Sequence, residues 1–245
     1  MAIEVFNRFE KKYFVKEEQM TRVLSEIEKH MTPDKNNLNR ETYSICNIYF
    51  DTENDDLIRS SLSKPVYKEK VRLRTYGIPK KDDIAFLEIK KKVQGLVNKR
   101  RTKIKIQDAY RFIENGGKIG VEQYMNVQVL RELSFMTQKY KLYPKVMIAY
   151  DRMAYFEKQN PDLRVSFDIN IRARRNHLKL EEGTQGEALL EAGMWLMEIK
   201  TSKAMPLWLT GLLSREQIRP VSFSKYGTEF KNYLSSKKDK EVIYA

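Results

Sequence analysis

Residues 66–76 read Val66-Tyr67-Lys68-Glu69-Lys70-Val71-Arg72-Leu73-Arg74-Thr75-Tyr76. Side chains of a β-strand alternate between its faces, so period two puts Lys68, Lys70, Arg72 and Arg74 on one face and Tyr67, Val71 and Leu73 on the other. A solvated charge run or a basic tail has no reason to alternate. The following segment repeats the arrangement, with Phe86, Glu88, Lys90 and Lys92 on one parity and Ala85, Leu87, Ile89 and Val93 on the opposite one. Gly95 marks a turn. From Val97 to Ile106, the apolar Ile104 and Ile106 leave Lys99, Arg101, Lys103 and Lys105 on the other parity. Three successive strands thus carry one charged and one apolar face.

These strands hold most of the charge of the chain. Of 245 residues, 46 are Lys or Arg and 33 Asp or Glu, a net charge of +13. Between Lys64 and Lys105 stand fifteen cations and four acids, which is +11 of that total. Such an excess predicts a polyanionic partner: nucleic acid, an anionic membrane or a phosphate-rich substrate. A 41% hydrophobic content supports a folded core. No apolar run approaches the ~18 residues of a membrane span. The single cysteine, Cys46, excludes an internal disulfide and a thiolate metal cluster, and His30 and His177 are too few for a histidine site. The N-terminus turns charged before any apolar stretch develops, so no signal peptide is expected and the cytoplasm is the expected compartment.

Outward from the basic strands, Ile3 to Val15 reads as a strand with Arg8, Glu10 and Lys12 on one face. Met20, Val23, Leu24, Ile27 and Met31 follow at helical spacing up to Thr32-Pro33. Tyr43 to Asp51 reads as a strand, Asp55 to Leu62 and Asp108 to Glu114 as short helices. A longer helix is expected over Val121 to Lys141, with Tyr124, Val127, Leu130, Leu133 and Phe135 packing. Val146 to Arg152 and Leu163 to Arg172 read as strands. In the latter, Ile169 and Ile171 continue the apolar face of Val165 and Phe167, and Arg172 the polar face of Arg164 and Asp168. Met194 to Lys200 pairs Glu198 with Lys200. Helices near Pro206 and after Tyr226 close the chain.

Amphipathic helices need an apolar sheet face to cover, which leaves the charged parity facing inward. The expected fold is therefore one α+β domain over residues 1–245: about eight antiparallel strands closed into a barrel, helices packed outside. Unpaired cations in a dry lumen carry a prohibitive desolvation penalty, so the lumen must be wet and hold an anion. About a dozen cations among only Glu10, Glu88, Asp168 and Glu198 suit a linear polyphosphate, with Arg forks and Lys point charges on its oxygens. The carboxylates either neutralise neighbouring cations or hold Mg2+ or Mn2+, with Glu198 and Glu10 the best ligands. Tyr150 and Tyr76, beside arginines, are candidates to stack on a base or sugar. Gly116-Gly117-Lys118-Ile119-Gly120 lacks the spacing of a P-loop.

Eight short motifs in order resemble the triphosphate tunnel metalloenzyme (CYTH) superfamily, specifically the VTC-type polyphosphate polymerase domain. They are Arg8-Phe9-Glu10-Lys11-Lys12-Tyr13, Asn47-Ile48-Tyr49-Phe50-Asp51, Lys70-Val71-Arg72-Leu73-Arg74-Thr75-Tyr76, Leu87-Glu88-Ile89-Lys90, Tyr150-Asp151-Arg152, Arg164-Val165-Ser166-Phe167-Asp168, Met197-Glu198-Ile199-Lys200 and Ser224-Lys225-Tyr226. The resemblance implies a phosphotransferase that moves the terminal phosphate of ATP onto a growing inorganic polyphosphate. It implies catalytic roles for Lys12, Arg72, Arg74, Lys90, Arg152 and Glu198. Phosphate binding falls to Lys70, Lys92, Lys99, Arg101, Arg164, Lys200 and Lys225, without deciding between Lys99 and Arg101 for one position, and nucleotide stacking to Tyr150. Glu198 becomes the main metal ligand, with Glu10, Glu88 and Asp168 as further candidates. Arg8-x-Glu10-x-Lys12 departs from the Glu-x-Glu-x-Lys usual in the hydrolases and cyclases of that superfamily, which favours transfer over hydrolysis. A triphosphate or tripolyphosphate hydrolase and a non-catalytic polyphosphate-binding module are the alternatives. Nucleic acid is not expected as a partner, nor a regulatory domain within these residues. Lys90→Ala and Arg152→Ala are expected to abolish turnover with the fold intact.

Overall fold

In the computed structural model, described for residues 9–37, 41–94, 96–158, 160 and 162–243, with side chains up to 237, strands and helices alternate along the chain. They are β1 (Phe9–Lys16), α1 (Glu17–His30), β2 (Met31–Pro33), β3 (Tyr43–Asp51), α2 (Asp56–Leu62), β4 (Tyr67–Tyr76), β5 (Ile84–Val93), β6 (Leu96–Lys105), α3 (Ile106–Glu114), α4 (Val127–Tyr140), β7 (Tyr143–Glu157), β8 (Arg164–Arg174), β9 (Glu187–Ala188), β10 (Met194–Thr201), α5 (Leu207–Arg215), β11 (Pro220–Val221) and α6 (Lys225–Ile243). Arg8 and the Gly95 turn lie outside the described residues. No described helix is long and apolar enough to cross a membrane.

The strands form one antiparallel sheet in the order β11-β1-β10-β8-β7-β3-β4-β5-β6, with β2 on β7 and β9 on β8. The closed barrel expected from the sequence is not completed by hydrogen bonds among the described residues. The free edge of β1 is taken by β11, through Lys12↔Val221 and Tyr13↔Pro220, and not by β6. Proline has no N–H to extend a ladder. Side chains span the gap instead: Lys90 of β5 lies 3.7 Å from Glu10 of β1. Before α6, Lys12 Nζ donates to the Phe223 carbonyl at 2.9 Å and Lys70 Nζ approaches Ser224 Oγ at 3.4 Å.

Helices cover the outer, apolar parity. Under α3 and α4 it supplies Ile48, Val71, Leu73, Leu87 and Ile104, packed with Phe112, Leu130 and Leu133. Under α1 and α5 it supplies Val15, Val165, Phe167 and Met197, packed with Val23, Ile27, Leu209 and Leu212. Each fully buried aliphatic side chain contributes roughly 1.5–3 kcal/mol. Glu17 and Glu18 begin α1, Lys29 and His30 end it, and the Gln19 side chain accepts from Lys16 N at 2.9 Å, all favourable at those ends.

Two sequence expectations need correction. Helix α4 starts at Val127 and not Val121, because the Asn126 side chain accepts from Val129 N at 3.1 Å and caps it there. Phe135, about 200° around the helix from Leu133 at 100° per residue, is 63% exposed. In β8, Asn170 adopts φ 52° opposite a register shift between Ala149 and Asp151 of β7. The irregularity reverses the strand's parity. Ile171 and Ala173 therefore turn inward to Ile148 and Leu196, while Arg172 leaves the face of Arg164 and Asp168.

Candidate functional site

The inner parity encloses a cavity of about 1140 Å³ lined by thirteen Lys or Arg and four Asp or Glu. One of the thirteen, Arg100, sends its guanidinium outward to Glu132. β1 brings Glu10 and Lys12 to the cavity, β4 Lys70, Arg72 and Arg74, β5 Glu88 and Lys90, and β6 Lys99 and Arg101. From the other side come Tyr150 and Arg152 of β7, Arg164 of β8, Glu198 and Lys200 of β10 and Lys225 at the start of α6. Both Lys99 and Arg101 are present, so the spacing ambiguity ends with two residues and not one.

Two predicted site residues lie elsewhere. Lys92 sits opposite Lys68 in the β4–β5 register, beyond the lining. Asp168 is 0% exposed beneath it, taking two hydrogen bonds from Arg152 at 2.6 and 2.8 Å and one from Lys225 at 2.5 Å. Tyr150 lines the cavity without a free face. It is 3% exposed, its ring lies under Lys225 Nζ at 4.4 Å and beside Arg152 at 5.2 Å, and its hydroxyl accepts from Arg74 at 3.0 Å. The structure therefore makes it a rest for cations and not a stacking platform.

The carboxylates separate into groups. Glu88 receives Arg72 Nε at 2.7 Å and Lys99 Nζ at 2.6 Å, with Arg74 at 3.9 Å. Burial pushes its carboxyl up, but these three cations outweigh it and hold it well below the ordinary range. Glu10 and Glu198 share two lysines. Lys12 Nζ is 3.3 and 3.6 Å from them and Lys200 Nζ 3.9 and 3.3 Å. Despite burial, the neighbouring lysines bring Glu10 down to about 2.

Several cations are compensated less fully or not at all. Lys70 has no carboxylate within ion-pair distance among the described residues, and burial, with Lys90 and Lys12 nearby, lowers it to about 8. Burial lowers Lys99 to about 7, with Arg72 and Arg74 adding to the effect and Glu88 opposing it. Arg101, exposed at the cavity, lies against the Phe86 ring at 4.4 Å and makes no ion pair among the described residues, and Arg164, whose Nη2 is 3.6 Å from Asp34, has its Nε buried without a hydrogen-bond partner among them. Cations and donors left without a carboxylate are what an anion's oxygens satisfy.

No group of three His, Cys, Asp or Glu is assembled among the described residues. Glu10 and Glu198 nevertheless form a donor set suited to Mg2+ or Mn2+, which bind through one or two carboxylates with phosphate oxygens and water completing the shell. Asp168 does not fit that role, being 0% exposed beneath the lining with both oxygens hydrogen-bonded by Arg152 and Lys225, and Glu88, 1% exposed, is turned to Arg72 and Lys99; Glu198 also has Lys225 Nζ at 3.3 Å but reaches the cavity beside Glu10.

Sequence reasoning passed over several lining residues. Tyr49 shares the inner parity of β3 and accepts from Arg72 Nη1 at 3.1 Å, and burial is outweighed by Arg72, Arg74 and Lys70, which lower its phenol to about 8. Its parity with Asn47 and Asp51 is a signal that could have found it. Asp34, Lys35 and Asn36, on the turn after β2, carry no periodic signal.

The family described as the VTC domain matches residues 7–233. Among solved structures, an adenylate cyclase-named protein of Bacillus halodurans has a TM-score of 0.52 at 15% identity, covering 89% of this chain and 96% of its own. One so named from Vibrio parahaemolyticus has a TM-score of 0.47 at 12% identity, covering 93% and 97%. The Bacillus likeness is one of fold. With its match running from the first inward strand into the last helix, the chain belongs to the VTC domain family.

Proposed function

We propose that this protein is an ATP-dependent polyphosphate polymerase, a phosphotransferase working inside the cationic cavity. The observation that carries the proposal is the set of inward cations without carboxylate partners, Lys70 and Arg101, together with the unpartnered Nε of Arg164. They stand around a cavity whose lining holds thirteen cations and four acids. A linear polyanion satisfies them all along its length, whereas one isolated phosphate reaches few of them.

In this reading Lys70, Lys90, Lys99 and Arg101 hold one stretch of phosphates and Arg152, Arg164 and Lys200 another. Arg72 and Arg74 are aimed by Glu88, Asn47 and Tyr150 and present fixed guanidinium groups to the transferring phosphoryl group. The nucleophile is a terminal phosphate oxygen of the growing chain, already anionic, so no general base is required. It attacks the terminal phosphorus of ATP, the bond to the bridging oxygen breaks, and ADP leaves with that electron pair. Positioning and charge neutralisation then provide the acceleration. Mn2+ or Mg2+, held by Glu10 and Glu198, would supply further neutralisation of phosphate oxygens. Lys12 and Lys200 would then turn from those carboxylates to the substrate. The buried thiol of Cys46 suits a reducing cytoplasm.

The test is tripolyphosphate offered alone with Mn2+. The proposal expects little orthophosphate, whereas rapid release without an acceptor would make the protein a hydrolase.

A further inference from the structure

At one end of the cavity the lining changes from charge to aromatic rings. Tyr43, Tyr76 and Phe86 belong to the neighbouring strands β3, β4 and β5 and all line the cavity. Tyr76 and Phe86 meet edge to face at 5.9 Å, Tyr43 and Tyr76 lie 6.2 Å apart, and the Arg101 guanidinium covers Phe86 at 4.4 Å. Phe86 is directly opposite Arg74 in the ladder, and Tyr76 lies two residues beyond Arg74 along its own strand. That is ~7 Å at strand rise.

The other aromatic rings of the lining, Tyr49, Tyr150 and Tyr226, are buried, and each has a cation against it: Arg72, Lys225 and Lys70 respectively. Tyr76 differs in being 47% exposed. A half-exposed ring, braced by a second ring and followed by a row of guanidinium and ammonium groups, has the shape of a base platform next to a phosphate site.

We propose that Tyr76, supported by Phe86 with Arg101, stacks on the base of a nucleoside triphosphate whose phosphates run inward past Arg74. This rests on the polymerase reading, because it takes a nucleotide as phosphate donor. Stacking uses the π-face that every base has, so the platform tolerates different bases. It gives the cavity two ligand classes: nucleotides that use both platform and cations, and inorganic polyphosphate that uses the cations alone.

The test compares equilibrium binding of ATP and inorganic tripolyphosphate, both with Mg2+, to the wild type, Tyr76→Ala, Tyr76→Phe and Phe86→Ala. Tyr76→Ala is expected to weaken ATP about tenfold while leaving tripolyphosphate unchanged, and Tyr76→Phe to retain ATP. Phe86→Ala should weaken ATP in the same selective way. Equal losses for both ligands, unchanged ATP affinity in Tyr76→Ala, or no ATP binding by the wild type would overturn the platform. Polyphosphate synthesis from ATP is assayed separately. Its absence alongside a selective ATP loss would sink the polymerase reading and leave the platform standing. Synthesis without that selectivity would do the reverse.

Discussion

Arg152 and Asp168 face each other across β7 and β8, joined by two hydrogen bonds of 2.6 and 2.8 Å, with 5% and 0% of their surfaces exposed. Asp168 also holds Lys225 at 2.5 Å, which ties the start of α6 to the sheet. The arginine is therefore part of a buried ionic triad as well as a member of the lining. Burial and Asp168 act in opposite directions on Arg152, and the carboxylate holds the guanidinium firmly charged.

Removing Arg152 takes two hydrogen bonds from a fully buried carboxylate and leaves it to Lys225 alone. Arg152→Ala is expected to destabilise the protein by roughly 3–5 kcal/mol as well as to stop turnover. This corrects the sequence-based expectation that the substitution leaves the fold intact. Lys90, 38% exposed and 3.7 Å from Glu10, is different. Lys90→Ala should change stability by less than about 1 kcal/mol while losing activity. Urea denaturation of both variants checks the contrast, and equal stability would contradict it.

Affinity for long-chain polyphosphate should fall as pH rises from 7 to 9. Lys99 is lowered to about 7 and Lys70 to about 8 in the free cavity, and a bound polyanion favours their charged forms. Binding therefore takes up protons above about pH 7, and alkaline pH opposes it. Tyr49, lowered to about 8, adds negative charge over the same range and acts in the same direction. With both lysines fully charged in the complex, their combined loss is on the order of several hundred-fold across two pH units. A flat affinity over that range, measured by calorimetry, would contradict these assignments.

Chelation should separate activity from stability. Glu10 and Glu198 already rest against Lys12 and Lys200, so the fold does not depend on a cation there. Excess EDTA is expected to stop phosphoryl transfer and leave the melting temperature unchanged. A large fall in melting temperature would show a structural metal instead.

Much of the fold was legible because one strand parity is apolar and the other charged from Glu10 to Lys200. Alternation identifies faces but is silent on which strands are neighbours, so it could not show that β11, and not β6, takes the edge of β1. It also assumes uninterrupted pleating, which Asn170 breaks, sending Ile171 inward and Arg172 away. Within the site, most predicted cations converge because parity alone aims them inward. Asp168 has the residue type and parity of a metal ligand. Its exclusion depends on Arg152 and Lys225, sixteen and fifty-seven residues away in the chain, whose approach only the folded structure reveals. Tyr150 likewise reads as an open ring until Lys225 is placed over it.

In the proposed function the interior cations serve a growing phosphate chain. Phosphorus-31 NMR of the purified protein incubated with ATP and Mn2+ tests it most directly. ADP should appear together with internal phosphate resonances that grow far beyond the terminal ones. Orthophosphate as the main phosphorus product would contradict it.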